Sequence, residues 1–162
     1  MSSTHDFALE DIAGKQVALN TYKGKVLLVV NVASQCGFTK QYENMVALHE
    51  RFRDRGLLVL GFPANNFGQQ EPGTNAEVAE FCSTRYAVSF PMFSKVSVKG
   101  ADQHPLFQYL TSAPNPDFTG DIKWNFEKAL IGKDGQLLRR FRSAAVPDGP
   151  EISTAVEQAL GN

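Results

Sequence analysis

One stretch constrains the architecture of this chain before any other. Val26-Leu27-Leu28-Val29-Val30-Asn31-Val32-Ala33 is apolar at all positions but one. A half-exposed strand alternates polar and apolar side chains, whereas a short unbroken apolar run bounded by turn residues is a strand buried on both faces. Tyr22-Lys23-Gly24 bounds this run on one side and Gln35-Cys36-Gly37 on the other. The run from Lys25 to Ala33 therefore predicts a central strand, with a layer of structure on each of its faces.

The other segments supply those layers. Phe7–Ile12 and Gln16–Leu19 flank Ala13-Gly14-Lys15 as a β-hairpin. A helix starting near Phe38 is predicted from Tyr42, Met45, Leu48 and Phe52 at helical spacing; arginines load its last turn and Gly56 closes it. Leu57–Phe62 is a second buried strand ended by Pro63, followed by a polar loop from Ala64 to Gly73. Thr74-Asn75-Ala76-Glu77 has the form of a capping box, opening a helix to about Tyr86. A shorter strand is expected over Met92–Val98, a short helix over His104–Ser112 and a loop over Ala113–Asp121. Ile122–Ile131 and Gln136–Arg142 flank Lys133-Asp134-Gly135 as a second hairpin, and a last helix runs from Pro150 to Leu160. Hairpin, then βαβ, then ββα indicates an α/β protein of thioredoxin-like fold with an added N-terminal β-hairpin, its central mixed sheet flanked by helices. The 162 residues carry no repeat, linker or low-complexity tract, and are expected to form a single domain over 1–162.

Composition excludes more than it identifies. Sixteen basic residues against 17 acidic ones leave no footprint for nucleic acid or a membrane surface. The N-terminus lacks the charged and apolar regions of a signal peptide, and no apolar run could span a bilayer, so a cytoplasmic protein is expected. His5, His49 and His104 share no metal-ligand spacing with each other or with Cys36 and Cys82. Walker, dinucleotide and Cys-x-x-Cys patterns are missing, and neither a cofactor nor a metal is indicated. The Arg139-Arg140-Phe141-Arg142 cluster reads as a solvated strand face.

Within this frame Cys36 stands out. It lies between the carboxyl end of the central strand and the amino end of a helix, where backbone N–H groups and the helix dipole favour thiolate, the reactive form. Cys82 falls with Val78 and Phe81 on one face of the helix opened by Thr74, which is compatible either with core packing or with a second redox thiol.

Three motifs, in order, resemble the glutathione peroxidase family. Asn31-Val32-Ala33-Ser34-Gln35-Cys36-Gly37-Phe38-Thr39 resembles its nucleophile motif. Leu60–Pro63 with Phe67-Gly68-Gln69-Gln70-Glu71-Pro72 resembles its second motif, and Trp124-Asn125-Phe126-Glu127-Lys128 its third. The resemblance implies hydroperoxide reduction by Cys36, with Gln70, Trp124 and Asn125 around the nucleophile, each offering a neutral N–H donor. Phe81–Tyr86 resembles the resolving-cysteine segment of the thioredoxin-dependent branch, which favours for Cys82 capture of an oxidised Cys36 and thioredoxin as reductant. Glutathione acting directly on oxidised Cys36 is the alternative; a thiol-exchange protein or a non-catalytic binding module on the same fold is a more distant one.

Departures from the family pattern are local. Asn66 stands where Gln is usual, Ala64 where many members carry a further cysteine, and Ala129 where Phe is usual. The loop over Ala113–Asp121 is short, as in monomeric members. No basic cluster is arranged to hold glutathione.

Overall fold

The computed structural model describes residues 3–161. In chain order its elements are β1 (Ala8–Glu10), β2 (Gln16–Ala18), β3 (Val26–Val32), α1 (Gln41–Phe52), β4 (Leu57–Pro63), α2 (Asn75–Tyr86), α3 (Pro105–Ser112), β5 (Lys128–Ile131), β6 (Leu137–Phe141) and α4 (Pro150–Leu160). β1 and β2 form an antiparallel hairpin, and the main sheet has the order β4-β3-β5-β6. β3 runs parallel to β4 and antiparallel to β5, so the sheet is mixed as expected.

Every residue of β3 is buried. Because successive side chains of a strand point to opposite faces, its valines and leucines divide between two cores. Val26, Leu28, Val30 and Val32 pack with Tyr42, Met45 and Leu48 of α1, Val78 and Cys82 of α2, and Ile152 and Val156 of α4. Leu27 and Val29 pack on the other side with Leu9, Phe62, Phe93 and the α3 residues Leu106, Phe107 and Leu110.

Helix termini follow local chemistry. The Thr74–Glu77 capping box closes in both directions: Glu77 N–H donates to Thr74 Oγ1 at 3.1 Å, and Thr74 N–H donates to the Glu77 carboxylate at 2.8 Å. α3 opens on His104, whose Nδ1 accepts the Leu106 N–H at 3.0 Å, with Pro105 as its first residue. α1 begins at Gln41, three residues later than expected. Residues 38–40 form tight turns instead, with the Thr39 and Gln41 N–H groups donating to the Cys36 and Phe38 carbonyls.

Three expectations give way. Met92–Val98 is no strand: only Met92 and Phe93 make isolated bridges. Its backbone donors are dealt out singly, from Phe93 to the Gly61 carbonyl, from Ser94 to the Glu10 carbonyl, from Val96 to the Pro63 carbonyl and from Lys95 to Asn75 Oδ1, so no ladder builds up. The strand expected from Ile122 begins only at Lys128, because residues before it are held by side chains rather than by a neighbouring strand. The arginine cluster is not simply solvated. Arg140 is buried against Glu127, and Phe118 lies under both the Arg140 and Arg142 guanidinium groups.

Lys128 opens β5 and is 2 % exposed. Its Nζ donates to Gln41 Oε1 (2.7 Å) and to the carbonyls of Ser143 (2.9 Å) and Ala145 (2.6 Å), tying α1 and the chain after β6 to the sheet. Burial pushes its pKa down to about 7, against the charges of Glu127 and Glu151, which act upward. The unfolded value is 10.5, so between these two pH values the unfolded chain binds more protons than the native one. Stability contributed through this group rises with pH over that window. Urea unfolding between pH 7.5 and 9 should show the parent gaining stability relative to Lys128→Met, with a slope of at most about 1.4 kcal/mol per pH unit, the limit for one proton. Parallel profiles for the two proteins would contradict the shift.

Candidate active site

Cys36 lies four residues past β3, half-buried, and borders the apolar cluster that also contains Cys82. Its thiol faces backbone as expected: the Phe38 N–H points at Sγ, with N and S 3.3 Å apart. Thr39 shapes the turn that makes this possible. Thr39 Oγ1 accepts the Cys36 N–H at 2.9 Å and donates to the Ala33 carbonyl at 2.8 Å. Thr39 was not singled out from the sequence, although a threonine three residues after the cysteine was the available signal.

Gln70 and Asn125 meet beside this turn. The Gln35 N–H donates to the Gln70 carbonyl at 3.0 Å, fastening the Gln70 loop to the residue preceding Cys36. Asn125 is fully buried and its Nδ2 donates to Gln70 Oε1 at 3.0 Å and to the Phe67 carbonyl at 3.5 Å. With its oxygen engaged, the Gln70 amide keeps its two N–H bonds available to something else.

Trp124 belongs to the same group. It is 37 % exposed, a large apolar side chain facing solvent near Gly68 and Gln70. Its ring leans on Phe67 with centroids 5.9 Å apart. Gly68 is at φ +64°, and a Cβ there would come within 3.2 Å of Trp124 Cη2 and 3.4 Å of the Gln70 amide nitrogen. Any larger residue at 68 would displace the indole or the amide.

Asn31, the one polar residue of β3, explains how Trp124 and Asn125 are presented. Its Nδ2 donates to the Trp124 carbonyl at 3.0 Å, and its own carbonyl accepts the Phe126 N–H at 2.6 Å. Phe126 adopts φ +65°. For a residue with a Cβ that conformation costs about 1–2 kcal/mol, comparable to the net worth of one or two hydrogen bonds. The two Asn31 bonds are thus sufficient to hold it. Glu127 fixes the chain from the other side, accepting the Lys123 N–H at 2.8 Å and pairing with Arg142 at 2.9 Å. Asn31 and Glu127 stand within the first and third motifs, but nothing in the sequence gives either a role.

Cys82 is in a different setting. It is 2 % exposed, a free thiol on the packed face of α2, and burial pushes its pKa up to about 11. The buried Tyr42 hydroxyl lies against it and acts downward, while the charge of Glu71 acts upward. Glu71 is buried as well. Its Oε1 accepts the Ser34 N–H at 3.2 Å and its carboxyl pKa is raised by burial. An open groove of about 420 Å3, bordered by Ser34, Gln35, Glu71, Val78 and Phe81, separates the Cys36 loop from α2.

The departures noted in the sequence leave the geometry intact. Asn66 takes a structural place, accepting the Val98 N–H at 2.9 Å and donating to Ser97 Oγ at 3.1 Å. Ala64 is fully buried.

The two thiols should differ sharply in alkylation. At pH 8 a thiol with a pKa near 11 is thiolate in about one molecule in a thousand, and Cys82 is shielded in addition. Iodoacetamide at pH 8 should therefore give one adduct, mapping to Cys36, and a second only in denaturant. Equal labelling of both cysteines in the native protein would show that α2 does not hold Cys82.

Comparison with known proteins agrees with this geometry. The glutathione peroxidase family model matches residues 4–111. A curated relative, the hydroperoxy fatty acid reductase gpx1 of Synechocystis sp., is 49 % identical over 165 aligned positions, covering 98 % of this chain and 96 % of its own. The crystal structure of Trgpx in apo form superposes with a TM-score of 0.79 at 37 % identity, covering 99 % of this chain and 97 % of that one. A thioredoxin-family thiol:disulfide interchange protein from Chlorobium tepidum TLS, 19 % identical with a TM-score of 0.67 over 96 % of this chain and 93 % of its own, shares the fold. The fold is thioredoxin-like, and the chain belongs to the glutathione peroxidase family.

Proposed function

We propose that the protein is a thiol peroxidase that reduces hydroperoxides through Cys36, and that Cys82 resolves the oxidised nucleophile. The observation that carries the reading is the meeting of a half-buried thiol under a backbone N–H with a fixed pair of amides, Gln70 and Asn125, in the chain segment next to it. The first step is attack of the Cys36 thiolate on one peroxide oxygen. The O–O bond breaks, the distal oxygen leaves as alkoxide and takes a proton to become an alcohol, and Cys36 becomes sulfenic acid. Neutral N–H donors suit this step, because they stabilise charge first on sulfur and then on the leaving oxygen without a tight ion pair to either. Gln70 Nε2 and Trp124 Nε1 are such donors, while Asn125, whose two N–H bonds are taken by Gln70 and Phe67, orients the Gln70 amide.

In the second step the Cys82 thiol attacks the Cys36 sulfur. An S–S bond forms, the S–O bond breaks, and the thiol proton leaves with the hydroxyl as water. Cys82 is 2 % exposed on the packed face of α2, so this reading has it leave that face to present its sulfur to Cys36 with Cα atoms within about 7 Å. What supports this is the helix itself. Only Val78 and Cys82 of its twelve residues are fully buried, and it ends on Ala87 at φ +50°, a conformation that favours glycine. A dithiol reductant of the thioredoxin type then restores both thiols. A monomer in the cytoplasm, where such reductants are kept reduced, fits this cycle. Among the described residues no helix is long and apolar enough to cross a membrane.

Cys36→Ser should remove peroxide consumption while keeping the fold, since a neutral hydroxyl is a far weaker nucleophile. Gln70→Ala should slow Cys36 oxidation by about 2–4 kcal/mol of barrier, and leave reduction of the disulfide nearly unchanged. Cys82→Ser should reduce one equivalent of peroxide and then stall with thioredoxin and thioredoxin reductase. The parent, treated with one equivalent, should lose two hydrogens by mass without dimerising. Normal turnover of Cys82→Ser with thioredoxin would remove the resolving role, and normal turnover with glutathione and glutathione reductase would establish the single-cysteine cycle instead.

A further inference from the structure

Ser143 follows β6, is buried, and takes no part in the cycle described above. Its hydroxyl donates to the Asn125 carbonyl at 2.5 Å. Its own carbonyl accepts two hydrogen bonds, from Gln41 Nε2 at 2.8 Å and from Lys128 Nζ at 2.9 Å. Gln41 and Lys128 are joined to each other by the 2.7 Å bond already noted, so Ser143 sits on a closed triangle of buried polar groups. Beyond Ser143 the chain of contacts continues through Asn125 to the Gln70 amide.

The placement of this serine is not that of an ordinary buried hydroxyl seeking any acceptor. Buried serines commonly return their proton to a nearby carbonyl of their own segment, as Ser153 does with Asp148 five residues earlier. Ser143 instead reaches 18 residues back, to the one residue whose side chain orients Gln70. Two clamps therefore close on the segment from Trp124 to Phe126. Asn31 acts from β3, on the carbonyl before Asn125 and the N–H after it, and Ser143 acts from the β6 side on the Asn125 carbonyl. Between them lies Phe126 in its left-handed conformation, which an unclamped chain would leave.

We infer that Ser143 is a positioning residue for the oxidation step, holding the Asn125–Gln70 amide pair in register with Cys36 through a polar triangle anchored on Lys128 and Gln41. Removing the hydroxyl leaves the Asn125 carbonyl without this donor and frees the segment to relax, so the Gln70 N–H bonds no longer stay aimed where charge develops. The inference rests on the reading of Cys36 as the peroxidatic thiol.

The test separates positioning from stability. Thiol loss under peroxide is followed by rapid quench and mass spectrometry, at a temperature where circular dichroism shows every variant folded. Ser143→Ala should oxidise at least tenfold more slowly than the parent. Ser143→Thr, which keeps the hydroxyl, should recover to within about threefold, and thioredoxin should reduce the preformed disulfide of both within twofold of the parent rate. Ser153→Ala serves as the buried-serine control, with a lowered Tm and an unchanged oxidation rate. A Ser143→Ala protein oxidised at the parent rate would overturn the inference, whatever its Tm. Should Ser143→Ala fail to fold, Gln41→Leu removes one donor to the Ser143 carbonyl without touching Asn125 and should still slow oxidation severalfold; no slowing there overturns the inference equally. A parent whose Cys36 is not oxidised by peroxide would overturn the reading of the site itself, an outcome distinct from either.

Discussion

The site depends on a single polar residue in an otherwise apolar strand. β3 has no face in water, so each of its side chains must be matched by something from one of two cores. Asn31 is matched by backbone: it takes the Trp124 carbonyl and gives its own carbonyl to Phe126. An unpaired amide there would forfeit its hydration without return, at a cost of about 1–3 kcal/mol. The central strand thus requires the segment from Trp124 to Phe126 to lie where it does. That segment brings Asn125, Asn125 holds Gln70, and the Gln70 backbone holds the residue before Cys36. Burial of a strand and assembly of a reactive site are, at this point of the chain, the same requirement.

Much of this was legible in the sequence wherever the cause is local or periodic. The capping box of α2, the Asp-Gly hairpin and the unbroken apolar run of β3 each carry their reason within a few residues, and each forms as expected. Expectations failed where the partner is remote. Met92–Val98 has the composition of a strand, but its donors go one by one to β4, to β1 and to a side chain of α2. Lys123–Glu127 was expected within a strand, yet Asn31 and Ser143 hold it from 93 and 18 residues away. Arg140 looks solvated from its neighbours and is buried because Glu127 and Phe118 come to meet it.

The same division applies to the site residues. Cys36, Gln70, Trp124 and Asn125 were found through motifs, and the structure brings Gln70, Trp124 and Asn125 together beside the Cys36 turn. Asn31, Thr39 and Glu71 lie within those motifs without an assigned role and Ser143 lies outside them, because a residue that holds another in place has no chemical signature of its own. A threonine bonding to a carbonyl and a serine bonding to a carbonyl are the commonest side-chain contacts in proteins. Only their targets, the Cys36 turn and the Asn125 peptide, distinguish them.

The two cysteines sit in contrasting surroundings, and the proposed two-thiol cycle makes contrary demands on them. Cys36 is on a turn fastened by Thr39, by the Gln35–Gln70 bond and by the strand behind it. A nucleophile that must meet fixed donors cannot afford slack, since misplacement of about an ångström is enough to cost two orders of magnitude in rate. Cys82 has the contrary requirement. It is a shielded thiol whose pKa burial raises to about 11, and the proposed cycle would need it to become mobile once Cys36 has reacted. α2 meets that requirement at its C-terminal half: the capping box secures the end remote from Cys82, while the end beyond Cys82 closes on Ala87 in a conformation suited to glycine. Tyr86 stacks on Tyr42 of α1 and Phe81 meets the same ring edge-on, and these would be the contacts surrendered on opening. Local unfolding of the last turns from Phe81 onward would leave the sheet and the Cys36 turn their hydrogen bonds, because the backbone and the Ser83 and Thr84 hydroxyl bonds of residues 81–86 stay within the helix and its C-cap.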